Sequence, residues 1–87
     1  MEFHKAARKH GVEVEDIEHA VRMEVLALEI DDDQPRRILH LGPDRANNFL
    51  EIVTLEFDDG RSMVIHAMKM RQKYAHLLLE HFGGDEE

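Results

Sequence analysis

Nine consecutive positions, from His66 to Tyr74, hold an imidazole, two ammonium groups, a guanidinium and a phenol: His66, Lys69, Arg71, Lys73 and Tyr74. Cleaving RNA without a metal needs a group that takes the 2′-hydroxyl proton, cations that stabilise the pentacovalent phosphate, and a donor for the leaving 5′-oxygen. These five side chains supply all three functions, with His66 as base or acid and Lys69, Arg71 and Lys73 facing phosphate charge. The same residues also fit a plainer pattern of a sheet-face histidine, a core tyrosine at helical spacing and a solvated row of helix cations.

Other chemistries have less support. The chain has no cysteine, which removes a thiolate nucleophile, a disulfide frame and any cysteine zinc site, and points to a reducing, cytoplasmic home. His76 and His81 stand five apart with no HExxH spacing, so no metal is expected. The Asp31-Asp32-Asp33 run lacks the glycine-centred loop and distal glutamate of a calcium site and reads as a solvated turn. Ser62 is the sole serine and lies in no GxSxG. The neighbouring glycines Gly83 and Gly84 do not sit between a strand and a helix, so no nucleotide cofactor is implied. Neither a signal-peptide core nor an apolar run of about 18 residues appears, and no membrane association is expected.

A net charge of −8 argues against a phosphate-bearing partner. Its distribution argues differently. Segments 3–10, 34–46 and 61–76 hold ten of the eleven Lys and Arg residues and a single acid, Asp44, together with five of the seven histidines. Lys5, Arg8, Lys9, Arg37 and His40 are therefore candidates for holding an RNA backbone, provided the fold gathers the three segments. His40 would join the site if its strand lay beside the one that carries His66.

The elements that must position these groups follow from hydrophobic period. Phe3, Ala6, Ala7 and His10 share one face of a short helix stopped by Gly11, and a second helix fits Glu13–Met23 with Val14, Ile17, Ala20 and Val21 as its buried stripe. The period then shortens to two. Strands are expected over Val25–Ile30, Arg36–Leu41, Asn48–Phe57 and Arg61–Ala67, the last two joined by an Asp58-Asp59-Gly60 hairpin. On Asn48–Phe57 the main core stripe is expected to be Phe49, Val53, Leu55 and Phe57, with Leu50 and Ile52 on the opposite face, either open to an interface or buried by a second helix that covers that face. A last helix fits about Met68–Phe82. The expected architecture is a single α+β domain over residues 1–82, with two N-terminal helices, a four-stranded antiparallel sheet and a C-terminal helix, followed by a flexible acidic tail over 83–87.

Several of these segments resemble one family in order and spacing across residues 3–75. Lys5-Ala-Ala-Arg-Lys-His-Gly-Val12 is similar to the N-terminal "KAA…KHGV" helix of BrnT-type toxins, and Val25-Leu-Ala-Leu-Glu-Ile-Asp31 to their "-LALEI-D" strand. Arg37-Ile-Leu-His-Leu-Gly42 resembles their "R-x-x-x-L-G" strand, and Val64-Ile-His-Ala-Met-Lys69 with Tyr74 their strand-to-helix junction. Where that junction commonly carries an arginine after the alanine, this chain has Met68, with Arg71 as the nearby guanidinium. The resemblance implies a RelE-like ribonuclease toxin of a bacterial type II toxin–antitoxin pair, acting on RNA, in particular messenger RNA, and neutralised by a ribbon-helix-helix antitoxin. The alternative is a toxin-like binding module of weak or absent activity that pairs with an antitoxin or forms a homodimer.

Overall fold

The computed structural model describes residues 1–83. Five strands, β1 (Glu2–Phe3), β2 (Leu26–Asp31), β3 (Arg36–Pro43), β4 (Phe49–Glu56) and β5 (Ser62–Lys69), form one sheet in the order β1-β5-β4-β3-β2. β2 to β5 are an antiparallel meander, and β1 lies parallel to β5, with Glu2 opposite Met63 and Phe3 opposite Val64. The helices are α1 (Val14–Arg22) and α2 (Ala75–Gly83), and single 3₁₀ turns span Lys5–Arg8 and Gln72–Tyr74. Among the described residues, no helix is long and apolar enough to cross a membrane.

The α+β class stands, but the expected architecture does not: the sheet has five strands and is mixed, and a single α-helix precedes β2. Phe3–His10 does not form the first helix. Eight residues before a glycine stop are too few to offset the cost of helix nucleation. Instead Glu2 and Phe3 pair with β5, and the His4 Nδ1 accepts the Ala6 backbone N–H at 3.0 Å to start the 3₁₀ turn. Of the four residues on the expected helix face only Ala7 is fully buried. Gly11 does close this segment, at φ +75°.

The second expected helix forms as α1, which buries Ile17 and Ala20 against the sheet. Glu15 and Asp16 occupy its positive first turn. The expected last helix divides into the 3₁₀ turn and α2 after an extended Arg71, and α2 has no fully buried residue. The tail expected over 83–87 begins with Gly83, the last residue of α2, and its remainder lies outside the described residues.

The assignment of faces on β4 is also reversed. Leu50 and Ile52 are buried with Ile17, Ala20, Val64, Ala67 and Ala7 in the core under α1 and the first 3₁₀ turn. Phe49, Val53 and Leu55 are only partly buried. β4 is the middle strand of five, so both of its faces are covered and its alternation alone does not mark the inside. On the other face Leu39 and Leu41 are buried apart from that cluster, and Leu77, Glu80 and His81 of α2 line a groove with Leu26 and Leu28.

Candidate active site at the end of β5

The central feature of the site is a carboxylate inside the sheet. Glu51 sits on β4 between Leu50 and Ile52, with its Cα paired to Met68 of β5, and it is completely buried. A buried charge must be matched by hydrogen bonds from partners of opposite sign. Arg71, in the extended stretch after β5, donates its backbone N–H to Oε1 at 2.9 Å and its Nη2 to Oε2 at 2.6 Å, with Nε within 3.1 Å of both oxygens. His66 Nε2 completes the set at 2.8 Å from Oε2. Burial pushes the Glu51 carboxyl up, and the Arg71 guanidinium and backbone N–H together with the His66 hydrogen bond outweigh it, so the group lies below the ordinary glutamate range. The Glu51 carboxylate in turn raises Arg71.

An ionised carboxylate only accepts hydrogen bonds, so His66 carries its hydrogen on Nε2. Nδ1 has no hydrogen-bond partner among the described residues, and the side chain is 28% exposed. Glu51 therefore orients an imidazole whose second nitrogen is open for proton transfer. Aromatic contacts build the rest of the rim. The Arg71 guanidinium carbon lies 5.8 Å and Lys73 Nζ 5.1 Å from the Tyr74 ring centroid, and the His10 ring meets the His66 ring edge to face with centroids 5.7 Å apart. Beside this, an open cleft of 440 Å³ is lined by His10, Val12, Glu13, Asp44, Leu50 and Lys69, among others.

Of the five residues expected to act together, His66, Arg71, Lys73 and Tyr74 are joined by these contacts, and Lys69 ends β5 at the cleft. Arg71 is committed to Glu51 by three of its N–H groups, two of them on the side chain. Lys5, Arg8 and Lys9 lie in or next to the first 3₁₀ turn, which packs on β5. Among the described residues, Lys5, Arg8, Lys9, Lys69 and Lys73 form no salt bridge, whereas Arg36, Arg37, Arg45 and Arg61 all face acids within 4 Å.

The third positive segment stays apart. β4 separates β3 from β5, and Arg37 pairs with Leu55 and with Asp31 near the strand ends opposite Lys69. His40 is nearly buried on the α1 face, where Nδ1 meets the Glu24 carboxylate and Nε2 lies 2.8 Å from the Thr54 hydroxyl. Two residues were missed by sequence reasoning. Glu51 is an acid in the middle of an apolar strand, which is itself a signal, because such a charge is rarely buried unless paired. His10 was absorbed into a helix stripe that does not form. No family model, curated protein or solved structure matches the chain. Among the described residues, no three His, Asp or Glu side chains are grouped to hold a metal ion.

Proposed function

We propose that this protein is a metal-independent ribonuclease that acts as the toxin of a bacterial type II toxin–antitoxin pair, with RNA, in particular messenger RNA, as substrate and a ribbon-helix-helix antitoxin as partner. The observation that carries the reading is the His66–Glu51–Arg71 network, which holds one imidazole nitrogen and leaves the other open. The succession of BrnT-like segments supports the same reading. In this scheme His66 Nδ1 takes the 2′-hydroxyl proton and Glu51 keeps the imidazole in the required tautomer. Lys69, Lys73 and Arg71 stabilise charge on the phosphate, and Lys5, Arg8 and Lys9 hold the RNA backbone along β5.

A second reading, a toxin-like module that only pairs with an antitoxin or with itself, is favoured by one observation: Leu79 and Phe82 of α2 are largely exposed. Expression in a bacterial host separates the two. The ribonuclease reading expects growth arrest that His66→Ala combined with Lys69→Ala abolishes. Arrest that survives both substitutions, or no arrest from the wild-type chain, contradicts it.

A further inference from the structure

The sheet has two edges of unequal kind. At one, the two-residue strand β1 and the first 3₁₀ turn lie against β5; at the other, β2 is the last strand and has no strand on its outer side. An edge strand turns half of its backbone N–H and C=O groups outward, and open edges are ordinarily protected by lysine, proline or shortness. β2 runs for six residues, Leu26–Asp31, without lysine or proline, and Ala27, Leu28, Glu29 and Ile30 are exposed. Its register with β3 slips only after Glu29, so Leu26–Glu29 is regular. Glu29 is the sole charge in that stretch, and Arg36 of β3 answers it at 3.8 Å.

Exposed apolar side chains gather in the same elements. Of the six large ones among the described residues, Leu28 and Ile30 lie on β2, Met23 just before it, and Leu79 and Phe82 on α2, which flanks β2 across the groove of Leu26, Leu28, Leu77 and His81. The charges around the strand are self-complementary. Arg22 precedes β2, Asp32 and Asp33 follow it, and among the described residues none of the three forms a salt bridge, whereas Asp31 is held by Arg37 and Glu24 by His40.

We propose that β2 pairs antiparallel with β2 of a second copy about a two-fold axis at Ala27, joining two five-stranded sheets into one of ten strands. In this register Leu26 of each copy stands opposite Leu28 of the other, on the face where Leu39 and Leu41 are buried, and Ala27 meets Ala27. Glu29 falls opposite Val25 rather than opposite itself, which avoids like charges directly across a ladder. The antiparallel course brings the Arg22 end of one strand to the Asp32–Asp33 end of the other, twice by symmetry. A second copy carries this charge pattern already, and a two-fold contact at the one long edge closes without further growth. β4 and β3 lie between β2 and the strand of His66, so the inference stands apart from the ribonuclease reading.

The test is the mass of the purified chain in solution, by light scattering over a dilution series, with two variants at the axis. Ala27 is exposed, so Ala27→Lys and Ala27→Asp should both keep the wild-type far-ultraviolet spectrum. The wild type should show twice the 10.2 kDa chain mass and separate on dilution. Each variant alone sets like charges against each other and should weaken the dimer about 10-fold or more, and the two mixed in equal amounts should restore it. The outward amides of Leu26–Glu29 should exchange slowly with solvent in the dimer and quickly in either variant alone. A wild-type monomer at every concentration overturns the inference and leaves the edge to a strand from another protein. A dimer that both variants keep places the contact elsewhere and overturns it too. So does a dimer that Ala27→Lys strengthens and Ala27→Asp weakens, which would set Ala27 opposite Glu29 in a different register.

Discussion

Glu51 Oε2 and His66 Nε2 lie 2.8 Å apart, the carboxylate with no solvent exposure and the imidazole at the protein surface. The pair couples the interior of β4 to the surface of β5, and Arg71 makes that coupling tolerable by neutralising the buried charge. Removing Arg71 leaves a carboxylate inside the sheet with only a histidine beside it. Arg71→Met should cost about 3 kcal/mol, at the lower end for a broken buried pair because the guanidinium is itself 44% exposed. Glu51→Gln should cost about 1–2 kcal/mol. The double variant should be more stable than Arg71→Met alone, because no charge remains buried. Urea denaturation measures all three, and purely additive losses would contradict the pairing.

The same carboxylate sets an acid limit on stability. The folded pKa of Glu51 lies below its unfolded value, so its contribution is complete above the ordinary glutamate pKa of about 4.3 and is lost as pH falls through the lower folded value. The stability gap between wild type and Glu51→Gln should therefore be constant near neutrality and shrink in acid. A gap that widened with acid would mean that the folded pKa is raised instead.

A different relationship fixes α1. A Cβ on Gly42 would stand 2.2 Å from the Ala20 carbonyl oxygen and 2.9 Å from Glu24 Cα, both backbone atoms that cannot swing aside. Gly42→Ala should destabilise by about 2 kcal/mol through this overpacking. A loss below about 0.5 kcal/mol, the size of an ordinary surface change, would show that α1 shifts freely over β3.

The boundaries of α1 and of the β4–β5 hairpin could be read from local chemistry, since Gly60 at φ +92° and the acidic first turn of α1 act on their own neighbours. What could not be read depends on distant partners. Gly42 looks like a turn residue before Pro43 until α1 is seen lying on it. Phe3 looks helical until it pairs with Val64, sixty-one positions away. His40 and His66 are both histidines on strands, and only the sheet order separates them. One is enclosed between Glu24 and Thr54 on the α1 face, and the other reaches Glu51 on the opposite face with Nδ1 open.

That contrast gives a control. The Thr54 hydroxyl donates to Glu56 at 2.7 Å and lies 2.8 Å from His40 Nε2, so Thr54→Val leaves a nearly buried imidazole without a partner there. It should lower stability by about 1–3 kcal/mol while the rate of RNA cleavage per folded molecule stays at the wild-type value. A selective loss of cleavage in a fully folded Thr54→Val protein would place His40 in the reaction.

The most direct measurement is to incubate the purified chain with single-stranded RNA in chelator at low and high salt and to identify the new ends. Metal-free transesterification at the His66–Glu51 site predicts 2′,3′-cyclic phosphate and 5′-hydroxyl ends, formed more slowly at high salt as the lysine contacts are screened and lost in His66→Ala. Intact RNA, or 5′-phosphate ends, would contradict it.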